Sequence, residues 1–174
     1  MKGQIMLITL IMSVFLLGCA SADVTNNTTV NTTLANQSAV EPLAIGVSLS
    51  VNPTNLNLGT IEPDGIEREY YTATNVAIKT GGGRLRVSVS ASGDLISINN
   101  SSNIIPLSNL KYSIKYDSPY GPIQVPKRSF TTTYYTIWTY VGAVNVVIPI
   151  NYYLTVPLYT DPGTYRVTIT YVAV

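Results

Sequence analysis

The chain has 174 residues, of which only 11% are charged, with ten basic and nine acidic side chains, one cysteine and no histidine. Lys2 is the only charge ahead of Cys19, so the chain from Cys19 onward has a net charge of zero, which leaves no electrostatic basis for binding nucleic acid or an anionic membrane surface. The absence of histidine removes the commonest general base and the commonest metal ligand, and a lone cysteine excludes an internal disulfide.

Lys2 is followed by a thirteen-residue, mainly apolar run from Ile5 to Leu17. As a helix it would span roughly 20 Å, short of the ~30 Å hydrocarbon core, so it reads as the h-region of a signal peptide. Two exits from that leader compete. Ala20-Ser21-Ala22 has the small-x-small form cleaved by signal peptidase I, with Asp23 as the new terminus. Leu16-Leu17-Gly18-Cys19 resembles a lipobox, which implies lipidation of Cys19. A third reading takes Lys2-Gly3-Gln4 as a short prepilin-type leader ahead of a retained apolar helix. Lipidation of Cys19 is the reading preferred here.

Residues 23–42 are rich in Asn and Thr, lack hydrophobic periodicity and carry two charges. Such a segment buries little and is expected to be an extended or disordered stalk, with an r.m.s. reach of about 25 Å for a flexible chain of this length. It holds N-x-[ST] sequons at Asn26, Asn27, Asn31 and Asn36, and two more overlap at Asn99 and Asn100. Their clustering in a secreted spacer makes them glycosylation candidates; the alternative is an unmodified polar linker.

From residue 43 onward the apolar pattern has period two. Val47, Leu49 and Val51 alternate with serines, and Leu85, Val87, Val89 and Ala91 alternate with arginines and serines. Leu110, Tyr112, Ile114 and Tyr116 alternate with Lys111, Ser113 and Lys115. Ile148, Ile150, Tyr152, Leu154 and Val156 form one face, and Tyr165, Val167, Ile169 and Tyr171 another. Each set predicts a strand with one buried and one wet face, and the β-branched and aromatic content agrees. Turns are expected at Asn52-Pro53, Pro63-Asp64-Gly65, Gly81-Gly82-Gly83, Ser118-Pro119, Gly121-Pro122 and Asp161-Pro162-Gly163. Pro149 predicts an edge or a break within residues 136–157. The Tyr-Tyr pairs at 70–71, 134–135 and 152–153 predict one ring inside and one outside in each.

The chemistry-bearing residues are few. Glu62, Asp64, Glu67 and Glu69 cluster about a turn with Arg68 among them; this reads as a solvated turn rather than a calcium or paired-carboxylate site. Gly81-Gly82-Gly83 lacks the spacing of a phosphate loop and reads as a flexible hairpin connection. Tyr134, Trp138 and Tyr140 share one strand parity. They are the candidate recognition surface, able to stack on sugar rings or on a protein partner, with core packing as the alternative. No catalytic set, metal site or cofactor motif is expected.

Leu56-Asn57-Leu58-Gly59-Thr60-Ile61, followed by Pro63, resembles the opening of bacterial and archaeal Ig-like surface modules. Asp161-Pro162-Gly163-Thr164-Tyr165, continuing to Tyr171, is similar to the closing strand of fimbrial-type and spore-coat-U-like domains. The resemblance implies an Ig-like surface domain and raises donor-strand assembly, with Val40 to Val51 as the donor segment. The chain differs from many such modules in lacking a cysteine pair.

Together these readings predict an all-β protein: an antiparallel Ig-like or jelly-roll-like β-sandwich of seven to nine strands. The expected layout is a signal peptide over 1–22, an Asn/Thr-rich linker over 23–42 and the sandwich over 43–174. The expected role is non-enzymatic, at the cell surface, structural or adhesive, with a lipid anchor in the envelope and no cofactor. Expected partners are glycans, other surface proteins or, for a pilus subunit, further copies of the chain.

Overall fold

The structure is a computed structural model that describes residues 7–11 and 46–174. Cys19, Asn26, Asn27, Asn31 and Asn36 lie outside the described residues. Thirteen strand segments and one 3-10 turn are present, and no α-helix occurs among the described residues. No helix there is long and apolar enough to cross a membrane.

The strands are β1 (Leu7–Ile11), β2 (Ser48–Asn52), β3 (Asn55–Thr60), β4 (Glu67–Thr80), β5 (Arg84–Ala91), β6 (Leu95–Ser97) and β7 (Ile104–Ile105). After the 3-10 turn at Leu107–Asn109 come β8 (Leu110–Ser118), β9 (Gly121–Ser129), β10 (Tyr135–Val141), β11 (Val144–Thr155), β12 (Tyr165–Arg166) and β13 (Ile169–Ala173). One layer is a five-stranded antiparallel sheet in the order β2-β4-β11-β8-β9. The facing layer has β10-β5-β13, continued at its far end by β12-β6-β7. Backbone bonds from Ser92 to Thr168 and from Ile98 to Thr164 tie those two groups together.

The architecture is the expected all-β sandwich, with more segments than the seven to nine expected. Interruptions at residues 92–94 and 167–168 split β5 from β6 and β12 from β13. Counting each split strand once leaves nine strands plus the short β1 and β7.

The period-two pattern is a face pattern. Leu85, Val87, Val89 and Ala91 are all buried, as are Ile148, Ile150, Tyr152, Leu154 and Val156, and Tyr165, Val167, Ile169 and Tyr171. Both layers contribute to one continuous core, where removal of apolar surface from water supplies the main driving force. Ser48–Asn52 pairs with β4 along its whole length, so that part of the expected donor segment belongs to the chain's own sheet.

Several local expectations are corrected. The Gly81-Gly82-Gly83 segment is not a hairpin within one sheet: it carries the chain from β4 in one layer to β5 in the other. Gly82 and Gly83 both have positive φ, 145° and 84°, which lets the backbone turn that corner without a Cβ clash. Pro149 falls at a local edge, as expected: it lies inside β11 opposite Asn75 on one side only. It is tolerated because the pairing with β8 spans only Asn151–Leu154, so β8 does not reach Pro149. Tyr134 and Tyr135 are both exposed, because β10 begins only at Tyr135. Tyr70 and Tyr71 do divide between half-buried and exposed. Tyr153 is largely covered on its side of the sheet: Lys127 lies 4.6 Å from its ring centre, and its hydroxyl bonds that of Ser113.

Near the start of the chain, β1 pairs antiparallel with β3, matching Leu10 to Leu56 and Ile11 to Asn55. Among the described residues, β1 is the only strand paired with β3.

Candidate functional site

The edge strands β9 and β10 border one open side of the sandwich. Between them lies a cleft of about 430 Å³ lined by residues 120–124 and 136–140. Its floor includes two buried side chains, Ile123 and Ile137. Trp138 and Tyr140 pair with the fully buried Val87 and Leu85, so both point inward from β10. They remain half-buried because β10 is the last strand of its layer.

The aromatic rings form a connected set. Trp138 and Tyr140 stack with centroids 5.5 Å apart and planes 26° apart, while Tyr120 meets Tyr140 edge-on at 5.3 Å. Such offset and edge-on contacts suit the ring quadrupoles. Tyr120 is fixed from two directions. Its hydroxyl accepts the backbone N–H of Asn145 at 3.1 Å, and its own N–H donates to Ser118 Oγ at 3.2 Å. Ser118 Oγ in turn donates to the Gly121 carbonyl at 2.6 Å, closing the tight β8–β9 turn. A Cβ at Gly142 would lie 3.4 Å from the Tyr140 ring, so the small residue there leaves Tyr140 its place.

Gln124, Thr136 and Thr139 surround the rings with neutral, exposed donors and acceptors. None of the lining positions is charged. At the other end of this side, the Arg128 guanidinium sits 3.4 Å above the Tyr135 ring, a cation–π contact that bridges the two edge strands.

Of the three aromatics singled out in the sequence, Trp138 and Tyr140 come together in the cleft and Tyr134 does not. Tyr134 precedes β10, is 57% exposed and is absent from the lining. A register irregularity between Thr136 and Trp138 breaks the shared parity. Tyr120 lies outside the aromatic row that the sequence marks because it belongs to another strand pair; its place after Ser-Pro in a turn is the sequence signal for it.

A second groove of about 340 Å³ crosses the outside of the five-stranded sheet and includes Lys115, Lys127 and Tyr153. Its charge is partly compensated: Glu67 takes Lys127 at 2.6 Å and Lys111 at 2.8 Å. Those contacts, Lys111 first, hold the Glu67 carboxyl below its usual range. Asp64 accepts both guanidinium nitrogens of Arg68 at 2.9 and 2.7 Å, which holds its carboxyl well below the ordinary value. The acidic cluster is thus organised by ion pairs, and among the described residues no group of three or more His, Cys, Asp or Glu is placed to hold a metal ion.

Asn99 and Asn100 are exposed in the β6–β7 loop, where Asn100 Oδ1 accepts the N–H of Ser102. Comparison of the chain with protein-family models and with curated proteins finds no match.

Proposed function

We propose that this chain is a non-enzymatic cell-surface protein: an adhesive β-sandwich carried on the polar stalk of residues 23–42 and held to the envelope by lipid on Cys19. The observation that supports the adhesive role is the neutral, aromatic-lined cleft on the open side of the sandwich. Its rings are pre-positioned by contacts within the protein, so little ordering is left to occur on binding. Two acyl chains on Cys19 hold such a protein stably on a bilayer, and the stalk lifts the cleft clear of it. Mass spectrometry of the mature N-terminus tests the anchor, with lipidated Cys19 expected. Recovery of a free Asp23 terminus removes the anchor, and failure of added protease to reach the domain on intact cells removes the surface location.

A filament subunit is the second reading, favoured by the pairing of β3. Its one partner among the described residues, β1, precedes Cys19, so removal of a leader at Cys19 or Asp23 opens that strand edge to an extended segment from another copy. Electron microscopy of the mature protein distinguishes the two: filaments support the subunit, dispersed monomers the adhesin.

A further inference from the structure

We infer that the cleft between β9 and β10 is a saccharide site that takes an uncharged sugar unit of a longer glycan. The inference rests on the adhesive reading and names its ligand class. Three features carry it.

The first is charge. The ten lining positions include no Asp, Glu, Lys or Arg, so an ionic ligand would enter without a compensating partner. A neutral ligand meets no such penalty.

The second is the pairing of ring faces with neutral hydrogen-bonding groups. A pyranose has an apolar C–H face and a rim of hydroxyls. The half-buried rings of Trp138, Tyr140 and Tyr120 match the face. The amide of Gln124 and the hydroxyls of Thr136 and Thr139 each supply both a donor and an acceptor, which matches hydroxyls that also do both. A hydrophobic peptide side chain would offer no partner to Gln124 or Thr139, whereas Thr136 already meets Ser88 Oγ at 3.3 Å.

The third is form. The cleft's volume lies within the ~300–1,000 Å³ of small-ligand sites. It runs along two strand edges rather than into the core, so a chain can pass through while one unit seats on the rings.

Trp138 is the only tryptophan in the chain, so its fluorescence reports this cleft and nothing else. The mature protein is screened on an array of neutral, sialylated and sulfated oligosaccharides. The best neutral binder is then titrated while tryptophan emission is followed. Saturable binding with a shift of the emission is expected, insensitive to salt between 50 and 500 mM (about a threefold change in Debye length). By isothermal titration calorimetry, which needs no tryptophan, Gln124→Ala, at an exposed position, and Trp138→Ala are each expected to weaken binding at least tenfold. Tyr134→Ala, outside the cleft, leaves it unchanged. Trp138→Phe recovers part of the loss and guards against a folding defect in the alanine variant.

No response to any neutral glycan overturns the inference. So does binding confined to sialylated or sulfated glycans, or equal binding by Trp138→Ala and wild type. The surface reading fails separately: a protein that binds glycan but is never protease-accessible on cells keeps the site and loses the location. Cells whose attachment is unchanged by Trp138→Ala keep the location and lose the site.

Discussion

The hydroxyls of Tyr152 and Tyr171 meet at 2.8 Å in the sandwich interior, joining β11 of one layer to β13 of the other. Both side chains are essentially inaccessible, and the Tyr152 hydroxyl also bonds Thr74. Tyr152→Phe therefore strands two partners, whereas Tyr171→Phe leaves Tyr152 with Thr74. Chemical denaturation is expected to give a loss of about 1–3 kcal/mol for Tyr152→Phe and about 1 kcal/mol for Tyr171→Phe. The double variant should cost less than the sum; strict additivity would show that the two hydroxyls are uncoupled.

Tyr112 provides the opposite case. It is 2% exposed and its hydroxyl has no hydrogen-bond partner. Its ring packs against Phe130 at 4.5 Å, and Tyr112→Phe keeps that contact. The expected result is a stability gain of up to about 1 kcal/mol, since an unsatisfied polar group is removed from the core. A loss above about 1 kcal/mol would mean that the hydroxyl is satisfied in solution.

Stability should depend on pH only at the extremes. Burial pushes Tyr112 and Tyr152 up to about 12, and burial with the neighbouring Tyr152 pushes Tyr171 well above its ordinary value. Unfolded tyrosine titrates near ~10. The folded state thus keeps protons that the unfolded state releases, and its stability is full below ~10 and falls as pH rises toward 12. Asp64 and Glu67 are shifted the other way by Arg68 and by Lys111 with Lys127. Their contribution is present above the unfolded carboxylate range near ~4 and is lost as pH falls through their lowered folded values. With no histidine in the chain, the melting temperature should be flat from about pH 5 to 9. An inflection between pH 6 and 8 would contradict this account.

Thr72 sits at a positive φ of 47°, where an L-residue is strained by roughly 1–2 kcal/mol. It occupies the point where β4 carries extra residues against β11, between the pairs Ile150 with Thr74 and Tyr152 with Tyr70. Its N–H donates to Asn151 Oδ1 at 2.8 Å. Thr72→Gly is expected to stabilise by up to about 1 kcal/mol, relief of strain being offset in part by glycine's entropy. Asn151→Ala should destabilise by about 0.5–1.5 kcal/mol. Thermal melts of the two variants moving in the same direction would refute this account of the bulge.

Among the described residues, strand β3 takes its sheet hydrogen bonds from β1 alone. Protein lacking residues 1–22 should therefore show faster hydrogen exchange over Asn55–Thr60 than over β4, which has partners on both sides. Equal protection of the two strands would mean that another segment has taken the place of β1.

Legibility in the sequence followed the length and regularity of the pattern. Alternation over Leu85–Ala91 and over Ile148–Val156 gave the buried faces correctly because each strand keeps one parity throughout. The fourteen residues of β4 do not read as one strand: the two extra residues at the Thr72 bulge interrupt the alternation, although even-numbered side chains face inward on both sides of it, and the charged run Glu67-Arg68-Glu69 masks the pattern at its start. A turn is expected at Gly121-Pro122 and no strand is expected over residues 121–129, yet these residues form β9 at a sheet edge, where proline costs no ladder bond. The Tyr134–Trp138–Tyr140 row failed at one member for the same reason as β4, a local irregularity that period-two counting passes over.

The sequence by itself determined which strand faces are apolar, where the chain turns, and that charge-based recognition has little to work with. These are local properties, set by side-chain alternation and backbone preference. The tertiary structure decided which strand lies beside which, and therefore that Tyr120 meets Tyr140 and that Tyr152 meets Tyr171. A period of two specifies a face but not a partner. The partners are chosen by register and packing between segments far apart in the chain, and the aromatic cleft exists only where two edge strands from opposite layers come together.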